Sequence, residues 1–287
     1  MTGKPIIAIV GPTGVGKTKL GVALAKATNG EVISVDSLQI YRHGGIMTAK
    51  PTIKEMDGIK HHLIDYMQPY QEPTGFIDLA ISTIQQIQND GKIPLLVGGS
   101  ISLTEPLLSH PLIQQSNLSV IFLDSKMTHL KPRLDKRIDK MVEEGLIEEV
   151  RELYQLEQVL LDFPDFSRGV WKAIGYPELR SAVAYCSDGI NQFYLESGIA
   201  EMKKNTSAYA QDQIKRMRCR LIPAMYAWDI NFMVLFVGDA ATFEERVIQP
   251  SISACCSWLS EDAKGRVANE ARTCSWRSDT GLYSQAV

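Results

Sequence analysis

The sequence predicts an α/β fold, with a parallel β-sheet flanked by helices and a helical C-terminal part. Two observations support this prediction. Short apolar runs rich in β-branched residues alternate with segments of helical spacing over the first 125 residues, a pattern typical of a parallel sheet covered on both faces. After Asp124 the pattern becomes helical. We therefore expect a core at residues 1–125, a helical region at 126–250 packed on that core, and a loosely structured tail at 251–287, where periodicity is lost.

Each predicted element follows from its local pattern. Ile6–Val10 is a fully apolar run that stops at a glycine, which predicts a buried strand, and a helix is expected over Lys17–Thr28. Helical spacing that ends in Asn89-Asp90-Gly91 predicts a helix over Phe76–Asn89. Further strands are predicted at Val32–Val35, Pro94–Val97 and Leu118–Leu123, and further helices around Leu134–Val142, Ile147–Tyr154 and Lys203–Tyr226.

The composition indicates a globular protein. The 287 residues include 30 basic and 33 acidic side chains, which gives a net charge of −3, and 45% of them are hydrophobic. The chain is too apolar to be disordered and too nearly neutral to bind long nucleic acids mainly through their phosphates. We find no targeting segment and no apolar run of membrane-spanning length, and the five cysteines form no CxxC pair. We therefore expect a cytoplasmic protein with reduced thiols.

The strongest motif is a phosphate-binding loop at residues 11–18, GPTGVGKT. It matches G-x-x-x-x-G-K-[ST] and lies between a predicted strand and a predicted helix, the context that this motif requires. Its glycines allow backbone N–H groups to turn towards phosphate oxygens, Lys17 supplies a positive charge, and the Thr18 hydroxyl is a ligand for Mg²⁺. The loop predicts a P-loop NTPase-like fold but does not specify the reaction.

Three further polar residues follow predicted strands, at the sheet edge where α/β proteins bind ligands. Asp36 ends the second strand and is either a group that faces the phosphates or a helix cap. Asp124 ends another strand, and a cap is favoured there over the metal-positioning acid of a nucleotide hydrolase or kinase. Ser100 follows Gly98-Gly99 and offers a hydroxyl to the same edge.

Together these motifs resemble the isopentenyl (dimethylallyl) transferases that alkylate N6 of adenine. The matching stretches occur in the family's order between residues 6 and 220. They are GPTGVGKT (11–18), ISVDSLQIYRHGGIMTAKPT (33–52), HHLIDYMQP (61–69), PLLVGGS (94–100), RIDKMVEEGLIEEV (137–150), GVWKAIGYPEL (169–179) and KKNTSAYAQDQ (203–213). Phosphate-loop kinases do not carry VDSxQxY followed by TAKPT, so the chain is identified as a member of this family.

The resemblance implies a reaction and a set of site residues. A dimethylallyl group would pass from dimethylallyl diphosphate to adenine, with Mg²⁺ held by Thr18 on the departing diphosphate. Asp36 would accept the N6 proton, Ser100 would hold Asp36 or the amine in line, and Thr13 would complete the catalytic set. The implied diphosphate-binding residues are Gly14, Val15, Gly16, Lys17 and Thr18, and the implied acceptor-binding residues are Ser37, Gln39, Lys172, Thr206, Gln213 and Arg216.

The family acts on tRNA or on free adenine nucleotides, and three features favour the nucleotides. The link from Leu108 to the next strand has no room for the helical insertion with which tRNA enzymes hold the anticodon stem. GGSIS (98–102) resembles the adenylate enzymes, whereas tRNA enzymes usually read GGTGLY. GVWKAIGYPEL (169–179) resembles the version found in plant nucleotide enzymes. We therefore expect AMP, ADP or ATP as the acceptor, in cytokinin-type biosynthesis, rather than tRNA.

The predicted C-terminal helix departs from the family at one position. Where the family pattern TxxxAxRQ has an arginine, this chain has Asp212, and a reversed charge beside a bound phosphate should weaken binding. Residues 203–220 nevertheless carry six basic side chains against this one acid, a local charge of +5. These side chains either hold the acceptor's phosphates or form a solvated helix face. Weaker candidates for phosphate binding are Arg133 and Arg137.

Three other functions are compatible with parts of the sequence. A tRNA dimethylallyltransferase with a shortened recognition domain would share most of the motifs. A phosphate-loop kinase for a small metabolite is suggested by the acid at Asp124. A non-catalytic nucleotide-binding protein is suggested by Asp212 and by the unusual tail.

Overall fold

The computed structural model describes residues 3–184 and 191–263 and has a parallel β-sheet at its centre. Six strands lie in the order β3-β2-β4-β1-β5-β6, and every neighbouring pair is parallel. The strands are β1 (Pro5–Val10), β2 (Gly30–Val35), β3 (His61–His62), β4 (Ile93–Gly98), β5 (Asn117–Asp124) and β6 (Asn231–Phe236). The predicted α/β fold with a parallel sheet is confirmed.

Helices cover both faces of this sheet. They are α1 (Lys17–Thr28), α2 (Ile53–Met56), α3 (Phe76–Asn89), α4 (Ile101–Leu108), α5 (Pro111–Gln114), α6 (Met127–Glu143), α7 (Leu146–Leu160), α8 (Tyr176–Ala184), α9 (Gln192–Arg216), α10 (Ile222–Ala227) and α11 (Gln249–Ala263). Shorter 3₁₀ or π turns lie at Val170–Lys172, Met217–Leu221, Ala240–Thr242 and Glu244–Ile248. Among the described residues, no helix has the length and apolarity needed to cross a membrane.

The central strands are apolar on both sides because each side faces a separate core. Ile6 and Ala8 of β1 pack into one cluster with residues of α3, α4 and α7, whereas Ile7 and Ile9 pack into a second cluster with residues of α1. All four side chains are fully buried. This two-sided burial explains why β1 reads in the sequence as a continuous apolar run rather than an alternating one.

The region after Asp124 is not entirely helical, so that prediction is wrong for one segment. Residues 231–236 form strand β6, which pairs in parallel with β5 from Ser119–Asn231 to Asp124–Phe236. β6 is an edge strand, and its residues are half-buried or exposed. A short apolar segment of this kind has no periodicity that separates a strand from a buried helix turn.

The predicted loose tail is also wrong for its first part, because residues 251–263 belong to helix α11. The Ser251 hydroxyl donates a hydrogen bond of 2.6 Å to the carbonyl oxygen of Val247, and Cys255 is buried in the cluster that also contains α1. The described α11 side chains that join Cys255 in this cluster are Ile252 and Trp258, and such sparse apolar positions among Ser, Ala and Cys residues give the sequence no strong apolar stripe. Residues 264–287, the rest of the predicted tail, lie outside the described residues.

Candidate functional site

The phosphate-binding loop joins β1 to α1 at the carboxyl edge of the sheet, as the motif predicts. Gly14 and Gly16 have φ angles of 76° and 101°, a left-handed conformation that side chains rarely adopt. A Cβ atom on Gly14 would also lie 2.6 Å from the side chain of Leu134 on α6. The glycines are therefore needed both for the turn and for the close approach of α6, and α1 begins directly after the loop at Lys17.

Lys17 lies inside this loop, and its environment disfavours its charge. Its Nζ donates a hydrogen bond of 2.9 Å to the carbonyl oxygen of Pro12. Burial lowers the pKa of the Lys17 ammonium to about 8; the Asp36 carboxylate opposes this shift, and the Arg137 guanidinium adds to it. A bound anion would stabilise the charged form of Lys17, so the loop is suited to binding phosphate groups.

Asp36 is not a helix cap, because the next helix begins at Ile53, and its other predicted role, facing bound phosphates, stays a prediction. Its Oδ1 accepts hydrogen bonds from the backbone N–H groups of Leu38 (2.9 Å) and Gln39 (3.4 Å), which fixes the turn after β2. Its charge also acts on Lys17 and on the guanidinium of Arg137 across the sheet edge. A carboxylate held by its own turn therefore faces the two cations beside the loop.

Ser100 reaches Asp36 only through a neighbour. Its hydroxyl, which is almost fully buried, donates a 3.2 Å hydrogen bond to the Ser37 hydroxyl and lies 3.2 Å from the Ser102 hydroxyl. The predicted direct support of Asp36 is thus replaced by a chain of hydroxyls that ends at Ser37, the residue after Asp36. A role of Ser100 or Ser37 towards an amine stays a prediction.

Arg137 is brought to the loop, although the sequence gave it only weak support. Its Nη1 donates a hydrogen bond of 3.2 Å to the hydroxyl of Thr13, and burial lowers its pKa while Asp36 opposes that shift. It therefore presents a positive charge at the same place as Lys17. Its helical neighbour Arg133 points elsewhere and donates a hydrogen bond to the carbonyl oxygen of Gly238.

Thr18 fits the metal-binding role that the motif predicts. It lies half-buried in the first turn of α1, and within the described residues its hydroxyl makes no hydrogen bond to the protein. The described part of the chain contains no cluster of three or more His, Cys, Asp or Glu side chains that would bind a metal ion by itself. Mg²⁺ commonly combines one or two protein oxygens with phosphate oxygens and water, and the Thr18 oxygen is suited to such a site.

Gln213 links helix α9 to the phosphate-binding loop through hydrogen bonds. The side-chain Nε2 donates a 2.8 Å hydrogen bond to the carbonyl oxygen of Gly99, and the Oε1 accepts a 2.8 Å hydrogen bond from the backbone N–H of Thr13. The side chain is buried, with 6% of its surface exposed. Gln213, predicted from the resemblance to bind the acceptor, thus uses its amide to join the ends of β4 and β1 to α9.

Asp124 is an ion-pair partner and not the predicted helix cap, because the N-cap residue of α6 is Lys126. Its Oδ1 accepts a 2.8 Å hydrogen bond from the backbone N–H of Ser125. Arg218 binds both carboxylate oxygens with its Nε and Nη2, each at 2.9 Å. The carboxylate is buried and fully engaged, so the kinase alternative loses the metal-positioning acid on which it was based.

Most of the positive charge in residues 203–220 is balanced by acids of the same protein. Asp212 itself pairs with Arg216 at 2.7 Å on the surface of α9, so its reversed charge is locally neutralised. The five pairs are Lys203–Asp139 (2.5 Å), Lys204–Glu201 (3.0 Å), Arg216–Asp212 (2.7 Å), Arg218–Asp124 (2.7 Å) and Arg220–Glu105 (2.9 Å). The local charge of +5 is therefore not a continuous phosphate-binding surface.

The structure gives two other predicted acceptor-binding residues partners outside the loop. The Gln39 amide donates to the carbonyl oxygen of Ala49 (3.2 Å) and accepts from the Ser34 hydroxyl (2.9 Å), and so orders its own loop. Lys172 pairs with Glu72 at 3.4 Å. Thr206 lies one and two turns before Ala210 and Gln213 on the same face of α9. Acceptor binding by Gln39, Lys172 and Thr206 stays a prediction.

Sequence reasoning missed two aromatic residues at the site. Phe243, which follows β6, packs against the loop so closely that a Cβ atom on Gly16 would lie 2.7 Å from its ring. It lies beyond the stretches that resemble the family, and nothing local marks it. Tyr209 lies within KKNTSAYAQDQ (203–213), but only the path of α9 places it near Asp36.

Comparison with known proteins identifies the family. A sequence profile described as IPP transferase matches residues 39–117 and 102–220, which is more than half of the chain. The chain belongs to the IPP transferase family. The resemblance that the motifs indicated is therefore confirmed.

Relatives of this chain carry names of two kinds. The chain is 44% identical to a "Bifunctional cytokinin biosynthesis protein" of Fusarium pseudograminearum (strain CS3096), over 88% of this chain and 52% of that protein. It is 32% identical to "Adenylate isopentenyltransferase 7, mitochondrial" of Arabidopsis thaliana, over 74% and 66%. It is also 32% identical to a "tRNA dimethylallyltransferase" of Halalkalibacterium halodurans, over 74% and 88%. The chain spans about half to two thirds of the length of the first two relatives.

Solved structures of the family have the same fold. A eukaryotic dimethylallyltransferase acting on tRNA matches with a TM-score of 0.79 at 25% identity, over 90% of this chain and 80% of that one. The full-length tRNA isopentenylpyrophosphate transferase from Bacillus halodurans matches with a TM-score of 0.71 at 29% identity, over 91% and 98%. The P-loop NTPase-like fold predicted from the loop is confirmed.

Proposed function

We propose that this protein moves a dimethylallyl group from dimethylallyl diphosphate to the N6 amine of a free adenine nucleotide. The observation that carries the proposal is the Asp36 carboxylate, held by its own turn opposite the phosphate loop and beside Lys17 and Arg137. A base and a diphosphate site therefore share one cleft. Relatives named for adenylate isopentenyl transfer and for tRNA dimethylallyl transfer support the reaction class.

The reaction requires one bond to form and one to break. The N6 nitrogen attacks the allylic C1 carbon, the bond between C1 and the diphosphate oxygen breaks, and both electrons of that bond leave with the diphosphate. The N6 amine is a poor nucleophile because its lone pair is delocalised into the purine ring. Asp36 takes the proton that N6 loses as the C–N bond forms, and this proton transfer requires hydrogen-bond reach between the carboxylate and the amine.

The loop stabilises the diphosphate as its negative charge grows. Lys17, Arg137 and the backbone N–H groups of the loop surround the same position, and such preorganised donors favour the developing charge. Thr18 would hold Mg²⁺ against the diphosphate oxygens, where the ion would add further charge stabilisation. A partly positive allylic group also reacts with water, so the cleft must exclude solvent during transfer.

A segment of the bacterial tRNA enzyme has no counterpart inside this chain, and this difference supports a free nucleotide as the acceptor. The match with the bacterial tRNA enzyme runs over 288 positions but includes 74% of this chain, which is about 212 residues, so about 75 positions have no counterpart here. The match with the Arabidopsis adenylate enzyme runs over 222 positions for the same 74%, which leaves about 10. The match with the Fusarium protein, 253 positions over 88% of this chain, leaves essentially none.

The structure supports placing that gap between α4 and β5. Helix α4 ends at Leu108, and the single turn of α5 then leads directly to β5 at Asn117. The family profile also divides into two matches whose boundary falls at residues 102–117. A link this short has no room for an additional nucleic-acid-binding domain, which favours a small acceptor.

An acceptor screen tests the proposal. Labelled dimethylallyl diphosphate and Mg²⁺ are incubated with the protein and either AMP, ADP, ATP or an unmodified tRNA substrate, and the prenylated product is measured. We expect transfer to at least one free nucleotide. The tRNA-named relatives and neighbours make tRNA the second candidate acceptor. Transfer to tRNA alone would overturn the choice of acceptor, and absence of transfer to every acceptor would overturn the proposal.

A further inference from the structure

Helix α9 and the π turn that continues it (Met217–Leu221) cross the carboxyl edge of the sheet, and two contacts fix their position there. Gln213 contacts Gly99 and Thr13, at the ends of β4 and β1, and Arg218 contacts Asp124 at the end of β5. Gln213 and Arg218 are five positions apart, which corresponds to a rise of about 7.5 Å along a helix. That distance matches the step of one to two strands across a sheet, at about 4.8 Å per strand. The helix therefore runs across the strand ends from the β2 side towards β5.

The same geometry places Tyr209 above the end of β2. Tyr209 precedes Gln213 by four residues, a rise of about 6 Å in the direction away from β5. The neighbour of β4 on that side is β2, and Asp36 follows the last residue of β2. Tyr209 and Asp36 therefore face each other at the mouth of the cleft.

The surroundings of Tyr209 agree with this position. Burial, together with the carboxylates of Asp36 and Asp212, raises the pKa of the Tyr209 hydroxyl to about 12. The hydroxyl is therefore protonated at neutral pH. The side chain is 40% exposed and belongs to none of the hydrophobic clusters of the described residues. The fold thus places the Tyr209 ring beside the Asp36 carboxylate but outside the hydrophobic clusters of the described residues.

We propose that the Tyr209 ring is the surface on which the acceptor's adenine stacks, with N6 directed towards Asp36. This inference rests on the proposed function. An adenine whose N6 is within hydrogen-bond reach of Asp36 extends several ångströms outward, into the space beside Tyr209. Stacking on an aromatic ring is a common and strong way to hold a base, and the ring loses little side-chain freedom on binding. Tyr209 is thus an acceptor-binding residue and not a proton carrier.

Two variants of Tyr209 separate the ring from its hydroxyl. Tyr209→Leu removes the aromatic face and should raise the KM for the acceptor about 10- to 100-fold, with the KM for dimethylallyl diphosphate unchanged. Tyr209→Phe keeps the face and should stay within about threefold of wild type. Phe193→Leu is the matched control, because Phe193 is 76% exposed on the same helix and about 24 Å from Tyr209 along the axis. It should leave both KM values unchanged.

A binding experiment separates failure of this inference from failure of the proposed function. AMP is titrated calorimetrically into wild type and the variants in the presence of inorganic pyrophosphate and Mg²⁺, which cannot react. Weaker AMP binding by Tyr209→Leu alone supports the inference even if wild type shows no turnover. Unchanged AMP binding and KM in Tyr209→Leu, equal losses in Tyr209→Phe and Tyr209→Leu, or no AMP binding by wild type would each overturn it. Turnover in the acceptor screen decides the proposed function independently.

Discussion

At the scale of single residues, the ammonium of Lys17 makes the stability of the protein depend on pH. Its pKa is about 8 in the folded protein against an ordinary value of 10.5, so the unfolded chain binds more protons between these two values. The contribution of Lys17 to the free energy of unfolding therefore increases as the pH rises from about 8 to 10.5. Below pH 8 the free-energy cost of burying its charge is fully present.

Lys17→Met removes this dependence. We expect the free energy of unfolding of wild type, relative to Lys17→Met, to increase as pH rises from 7.5 to 10, and we expect the variant to lose prenyl transfer. Urea denaturation of both proteins at several pH values measures the difference. Lys19→Met is the control because Lys19 is an exposed lysine two residues further along α1. A difference that does not change with pH would contradict the buried charge.

Asp36→Asn separates the two roles of Asp36. Asparagine keeps the Oδ1 that accepts the N–H groups of Leu38 and Gln39, so the turn is preserved. It cannot take a proton from N6, and we expect kcat to fall by about 10²- to 10⁴-fold while pyrophosphate binding stays near wild type. Single-turnover kinetics and calorimetry measure these quantities. Asp57→Asn, a surface change at the Lys26 pair, is the control. Near wild-type turnover in Asp36→Asn would exclude the general-base role.

The conformation of the loop could be predicted from sequence because it depends on local backbone geometry. Gly14, Gly16 and Lys17 occupy a short motif between a strand and a helix, and the structure places them as expected. Arg137 and Tyr209 lie at the same cleft, on α6 and α9. Their positions depend on how these helices pack, and no local pattern contains that information.

At the scale of secondary-structure elements, Gln213 holds α9 against the sheet edge. Gln213→Glu keeps an oxygen for the N–H of Thr13 but places a second carboxylate oxygen against the carbonyl of Gly99. Because the site is buried, we expect a loss of about 1–3 kcal/mol in unfolding free energy and a higher KM for dimethylallyl diphosphate. Thermal denaturation and steady-state kinetics test this.

Gln211→Glu supplies the control for that experiment, because Gln211 is exposed on the same helix. It introduces the same charge without entering the cleft and should change neither quantity appreciably. Equal effects of the two substitutions would show that charge on α9, rather than the buried contact, is responsible.

Secondary-structure elements could be predicted where the sequence shows both the periodicity of their apolar residues and the residues at which they end. Helices α1 and α3 have apolar spacing and clear ends, and their predicted limits agree with the structure. Strand β6 and helix α11 were missed because an edge strand lacks two-sided burial and a helix packed through Ser251 and Cys255 lacks a strong apolar stripe. In both cases tertiary packing supplies what the local pattern does not.

At the scale of the whole molecule, Phe243 brings the segment after β6 into contact with the phosphate-binding loop near the start of the chain. This buried ring lies against Gly16 of the phosphate loop and beneath Lys19, whose Nζ is 5.5 Å from the ring centre. The segment after β6 therefore closes the face of the sheet that α1 covers. The resemblance to the family weakens beyond residue 222, so this closure could not be predicted.

Phe243→Ala tests the importance of this closure. We expect a loss of about 3 kcal/mol in unfolding free energy from the cavity, together with weaker pyrophosphate binding because the loop loses its outer support. Chemical denaturation and calorimetry measure the two effects. Phe236→Ala, at a half-exposed position at the end of β6, should cost less and leave pyrophosphate binding unchanged. A Phe243→Ala protein with wild-type stability would contradict the packing described.

Strand β6 also sets the order in which the protein can complete its fold. Ser119 and Asn231 are paired in the sheet but 112 residues apart in the chain, so a long loop must close before this pairing gains any stability. During synthesis, the outer edge of β5 emerges well before its partner exists. An unpaired, apolar strand edge invites association with other chains. Folding of this protein therefore includes an interval in which the apolar edge of β5 is exposed to association with other chains.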